Sequence, residues 1–124
     1  MSLEFTESEG NYMDIVSRRL KNSRITKITA IYDYWQIGVA DTGHINIYNP
    51  VKYLYDNRVC SDLSGVLAGD IVGQTITDVI FKEKDFLKLK LANKNTIHIS
   101  LADCDYTSPE AIEIRLDTGE WIVE

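Results

Sequence analysis

Tyrosine is the residue type whose placement points most directly to chemistry. Tyr32, Tyr34, Tyr48, Tyr53 and Tyr55 crowd the stretch between positions 32 and 55, together with Trp35. An exposed tyrosine adds contact area at little rotamer cost and keeps a hydrogen-bonding tip, so it suits a binding face. Carboxylates are the second concentration. From Asp103 to Glu124 there are seven acidic residues and a single cation, Arg115, so the net charge of −6 resides in that segment. Such a segment would steer a basic partner. The candidate partner-binding set is therefore Tyr32, Tyr34, Tyr48, Tyr53, Asp103, Asp105, Glu110 and Glu113. The plainer alternatives stay open: rings that cap the ends of a sheet, and a solvated acidic rim.

The sequence offers no catalytic residues. It has no Gly-x-Ser-x-Gly elbow. Cys104 lies between Asp103 and Asp105, whose charges disfavour its thiolate, and Cys60 has no base beside it. His44 and His98 do not share a position in the pattern described below, and His98, between Ile97 and Ile99, should point away from a core. No loop has regular oxygen-ligand spacing, and Gly65, Gly69 and Gly73 form no phosphate-binding pattern, so neither metal nor cofactor is expected. Lys82, Lys84, Lys88, Lys90 and Lys94 make a mildly basic strip that reads as the guard of an edge strand.

These residues need elements to position them. Tyr12, Ile15, Val16 and Leu20 follow a helical period, with Asn11 as cap and Arg18, Arg19 and Lys21 in the last turn, which predicts a helix over 11–21. The period then changes to two. Strands are expected at about 24–32, 34–40 and 44–48, with a turn at Asp41-Thr42-Gly43 and a stop at Asn49-Pro50. If Trp35 faces inward, Tyr34 and Gln36 face outward.

The same grammar returns at 75–99. Thr75-Ile76-Thr77-Asp78-Val79 echoes Arg24-Ile25-Thr26-Lys27-Ile28, 51 positions on, whereas Ala92 to Ile99 echoes Ala40 to Ile47, 52 positions on. One residue is thus inserted between them. Asn95 replaces Gly43, a substitution read as tolerated by left-handed backbone. Between the copies, residues 51–73 read as a connection with a short helix capped by Asp62. Ala111 to Glu124 reads as a terminal hairpin around Asp117-Thr118-Gly119.

The expected fold is mainly β (α+β). Duplicated antiparallel three-stranded meanders form a sandwich or partly closed barrel, with one N-terminal helix and a C-terminal hairpin. A chain of 124 residues, 44% hydrophobic, suits a single domain over 1–124, with 1–10 a disordered leader. No apolar run approaches the roughly 20 residues of a membrane helix. The net negative charge disfavours nucleic acid, and a cytoplasmic setting with both cysteines reduced is expected.

The run from Ile25 through Trp35-Gln36-Ile37, Asp41-Thr42-Gly43 and Ile45-Asn46-Ile47-Tyr48-Asn49-Pro50 to Gly73-Gln74-Thr75-Ile76-Thr77 resembles a class of small uncharacterised bacterial proteins. Some of that class resemble immunity proteins that neutralise a cognate toxin. With the acidic C-terminal segment, the tyrosine-rich first repeat and the missing catalytic constellation, the expected function is a non-enzymatic protein-interaction module with a basic protein partner. Two alternatives stand beside it: a ligand-binding or enzymatic β-barrel using Tyr34, Gln36, Asn46 and His98 at its rim, and a homodimer.

Overall fold

In the computed structural model the described residues are 16–32, 34–55, 58–61, 63, 66–82, 84–102, 112–116 and 121–123. The proposed leader, the first part of the predicted helix, Asp62, Cys104 and the candidates Asp103, Asp105 and Glu110 lie outside them. The described part of that helix, α1 (16–20), turns Val16 and Leu20 into the core. A second helix, α2, spans Val66–Ile71 and overlaps the end of the short helix expected from Asp62. No helix among the described residues is long and apolar enough to cross a membrane.

The strands are β1 (Ile25–Ile31), β2 (Tyr34–Val39), β3 (Gly43–Ile47), β4 (Val51–Tyr55), β5 (Arg58–Cys60), β6 (Ile76–Lys82), β7 (Phe86–Leu91), β8 (Thr96–Ser100), β9 (Ile112–Leu116) and β10 (Trp121–Val123). Among the described residues they form two antiparallel sheets, ordered β1-β2-β3-β9-β10 and β6-β7-β8-β4-β5. Both sheets are open, so the architecture is a sandwich and the barrel alternative falls away. The inward positions of both sheets share one apolar core that includes Ile37, Ile45, Ile47, Leu87, Leu89, Ile97 and Ile99. Period-two alternation produces this directly, because successive side chains in a strand point to opposite faces.

The two meanders are connected alike, and their irregularities coincide. Register slips between Ile25 and Lys27, and again between Ile76 and Asp78. The extra residue of the second copy sits in the first hairpin loop: Ile31 pairs with Tyr34 across two residues, whereas Lys82 pairs with Phe86 across three. Each helix ends on a left-handed residue, Asn22 (φ 70°) or Gly73 (φ 95°), a common way to close a helix. Around the bridge between Arg24 and Thr75 the copies exchange reciprocal hydrogen bonds. Ile25 N donates to Gln74 O at 2.9 Å and Ile76 N to Ser23 O at 2.8 Å; Asn22 N donates to Ile76 O at 2.6 Å and Gly73 N to Ile25 O at 2.7 Å. A pseudo-two-fold axis passes through this point.

The duplication reaches beyond 24–48 and 75–99. The segment expected to be a connection contains β4 and β5, and these correspond to β9 and β10. Ile47 pairs with Ile112 on β9 as Ile99 pairs with Val51 on β4, and Ile45 pairs with Ile114 as Ile97 pairs with Tyr53. Each hairpin therefore leaves its own meander and extends the other copy's sheet. β4-β5 follows the first meander and completes the second sheet; β9-β10 follows the second meander and completes the first.

Candidate functional site

The exchange of hairpins builds one patch on the outer face of the first sheet. Outward positions of β2, β3 and β9 fall in cross-strand register: Gln36 opposite Asn46, and Asn46 opposite Glu113. Their side chains form a chain of hydrogen bonds. Gln36 Nε2 donates to Asn46 Oδ1 at 3.0 Å, and Asn46 Nδ2 donates to Glu113 Oε1 at 2.9 Å. Tyr48 Oη also donates to Glu113 Oε1, at 3.5 Å, and Arg115 Nε lies 3.6 Å from the same oxygen. The rings of Tyr34 and Tyr48 meet beside this row with centroids 4.9 Å apart and planes tilted by 46°.

Burial makes the row rigid. Asn46 is 6% exposed and the Glu113 side chain 15%, although both sit on the face turned away from the core. The Asn46 amide is held at both ends and the Gln36 amide at its donating nitrogen, so the carboxylate is fixed before any partner arrives. Its contacts with Asn46, Tyr48 and Arg115 fall on Oε1. A pre-oriented acceptor of this kind strengthens charge-assisted hydrogen bonds.

Tyr34, Tyr48 and Glu113 are thus brought together, with Gln36 and Asn46 from the polar set. Tyr32 stands apart on the β1-β2 loop, 101% exposed and left-handed at φ 52°. A bulky side chain in that conformation costs about 1 kcal/mol relative to residues that tolerate it. Tyr32→Asn is accordingly expected to raise stability by about 1 kcal/mol in urea unfolding. An unchanged or lower midpoint would show that the ring has stabilising contacts.

Tyr53 is corrected. It is 0% exposed, because its position on β4 points into the core of the second sheet. Its hydroxyl donates to Asp70 Oδ2 at 2.8 Å and accepts from Asn95 Nδ2 at 2.7 Å and Asn93 Nδ2 at 3.4 Å. Burial, and then the bond to Asp70, push this phenol above the ordinary tyrosine range. Asn95 is explained by the same contact. Gly43 has φ 146°, whereas in the second turn the positive φ falls on Lys94 and not on Asn95, whose amide instead reaches Tyr53. Tyr53 is a structural clamp between β4, α2 and the β7-β8 turn.

The outer face of the second sheet has the opposite character. Phe86 and His98 make a ring contact at 5.6 Å, and Lys88 Nζ sits 4.5 Å from the centre of the Phe86 ring. His98 does face away from the core. The lysines expected to guard an edge are spread across it: Lys82 is on the edge strand β6, whereas Lys88 and Lys90 are on the interior strand β7. Sequence reasoning missed Lys52, which joins them from β4.

A depression of about 710 Å³, lined by Leu54, Tyr55, Arg58, Val59 and residues 93–96, lies beside the Tyr53 clamp. Its amides, Asn93 and Asn95, are already engaged with Tyr53. Among the described residues no three His, Cys, Asp or Glu side chains gather as metal ligands would. No family model, curated protein or solved structure matches the chain.

Proposed function

We propose that the chain is a non-enzymatic protein-binding module whose contact surface is the outer face of the first sheet, and that it acts as an immunity-type inhibitor of a basic protein. One observation carries this reading: Tyr34, Tyr48 and Glu113, far apart in sequence, share one patch in which Asn46 and Tyr48 orient the carboxylate. The acidity of the C-terminal segment supports a basic partner. Tyrosine rings around a fixed charge match the composition of binding hot spots.

The test is capture of the partner from the native host's lysate, followed by affinity measurement with Tyr34→Ala and Glu113→Gln. Truncating a central tyrosine at a hot spot costs about 2 kcal/mol, so Tyr34→Ala should weaken binding by roughly 30-fold. Glu113→Gln should weaken it and reduce its salt dependence. A basic partner whose affinity is untouched by both substitutions, or the absence of any captured partner, would overturn the proposal.

A further inference from the structure

We infer that the outer face of the second sheet is a second docking surface, which takes an acidic polypeptide segment carrying aliphatic side chains. The inference goes beyond the first-sheet reading and does not depend on it. It starts from the pseudo-symmetry. The hydrogen-bonded row Gln36–Asn46–Glu113 of the first sheet has an equivalent row in the second, Lys88–His98–Lys52, in register across β7, β8 and β4. In the first sheet the row is closed internally, because its last member is a carboxylate that accepts from Asn46. In the second sheet that place is held by Lys52, so two cations flank a histidine and the row has no carboxylate of its own.

Lys88 and Lys52 each stand opposite His98, so an imidazolium there would face two like charges. Adjacent strands lie about 4.8 Å apart, so the three groups occupy a strip about 10 Å long. Lys90 adds a further cation in the next row. Among the described residues no carboxylate lies within ion-pair distance of Lys52, Lys88 or Lys90. Lys82 is engaged with Asp85 at 3.3 Å, and Asp78, opposite Lys90, turns its Oδ1 onto Val79 N at 2.9 Å. The counter-charge this row lacks is a carboxylate from outside.

Apolar exposure selects a polypeptide over a nucleic acid. Ile80, opposite Lys88 at one margin of the strip, is 36% exposed, and Val59, opposite Leu54 at the other margin, is 60% exposed. The rings on this face, Phe86 and His98, pack on each other and Phe86 also on Lys88, so the large apolar groups left exposed are aliphatic; these can contact a partner's apolar groups but offer no stacking platform for bases.

His98 gives the surface a pH signature. Burial, then Lys88 on β7 and Lys52 on β4, hold its pKa below the ordinary 6.5; Asp85, beyond Phe86, pulls weakly the other way. A carboxylate docked on the row opposes both lysines and favours the imidazolium. Affinity should therefore rise as pH falls through the range where His98 titrates.

The probe is a short peptide of glutamate and leucine, with a glutamine-for-glutamate peptide as control. Backbone amide and imidazole resonances of the full chain are followed by NMR. The expected result is shifts confined to β7, β8 and β4, a His98 midpoint that moves up when peptide is bound, and affinity that falls with salt. Lys52→Gln/Lys88→Gln should weaken binding by about tenfold, with unchanged resonances in the first sheet reporting an intact fold. His98→Gln should remove the pH dependence and keep binding at neutral pH. Shifts elsewhere, none at all, or equal binding by the control or the double variant would overturn the inference. So would tighter binding by a DNA oligonucleotide of the same charge.

Discussion

Ile114→Ala is expected to lower the unfolding free energy by about 2–5 kcal/mol and to loosen the first sheet, although Ile114 belongs to the second half of the chain. Its side chain is 1% exposed and continues the inward row Ile28–Ile37–Ile45 across β1, β2 and β3. Alanine removes buried methyl groups and leaves a cavity between packed neighbours. The exchange of hairpins decides where the damage appears. β9 lies in register with β3, so amide protection in Gly43–Ile47 should fall. It also decides the cooperativity. Each sheet is completed by a hairpin from the other copy, so neither half can unfold and leave the other intact. Urea unfolding followed at β3 and at β7 should give one shared midpoint in both the native chain and the variant. Two separable transitions, or protection lost only around β7 and β8, would show that the copies behave as independent units.

What the sequence makes legible follows from this arrangement. The slips after Ile25 and Ile76 break parity in β1 and β6, but β2, β3, β7 and β8 alternate because each has one buried and one outward face, so the meanders and their insertion can be read directly. The second hairpins escape notice for two reasons. Val51-Lys52-Tyr53-Leu54-Tyr55 carries an apolar residue, Leu54, at an outward position, which hides its period of two. Its counterpart Ile112–Leu116 lies 61 positions later instead of 51 or 52, so no fixed offset reveals the match. Pro50, read as a stop, does follow the end of β3, and it also marks where the chain crosses to the other sheet.

The same blind spot limits the site. Parity places Tyr34, Gln36 and Asn46 on one outward face and separates Tyr48 from Ile47. It cannot bring Glu113 beside them, because that requires knowing that β9 pairs with β3. Lys52 is lost from the basic row for the same reason. Tyr53 is misassigned because its neighbourhood is rich in tyrosine, and local density says nothing about which face of an unrecognised strand a ring occupies.

Tyr53→Phe isolates the clamp, since it keeps the ring and removes only the hydroxyl. The hydroxyl joins Asp70 on α2 and Asn95 after β7, so its loss unties the helix from the turn. A hydrogen bond to a charged group contributes about 1.5–3 kcal/mol, and Asp70 is exposed enough to regain water, which places the expected cost at the lower end of that range. The pH dependence separates this loss from a packing defect. The folded phenol titrates above its unfolded value of about 10, because burial and the bond to Asp70 both disfavour the phenolate, while Asn95 and Asn93 only partly compensate. A raised folded pKa means that the contribution is complete below pH 10 and disappears as pH rises through the folded value. The native chain should therefore lose stability on that alkaline limb, and Tyr53→Phe should lose less. Urea midpoints for the two proteins should lie apart at neutral pH and approach each other above pH 10. Curves that stay parallel through the alkaline range would show that the hydroxyl stabilises nothing that depends on its proton, and the clamp would reduce to the buried ring.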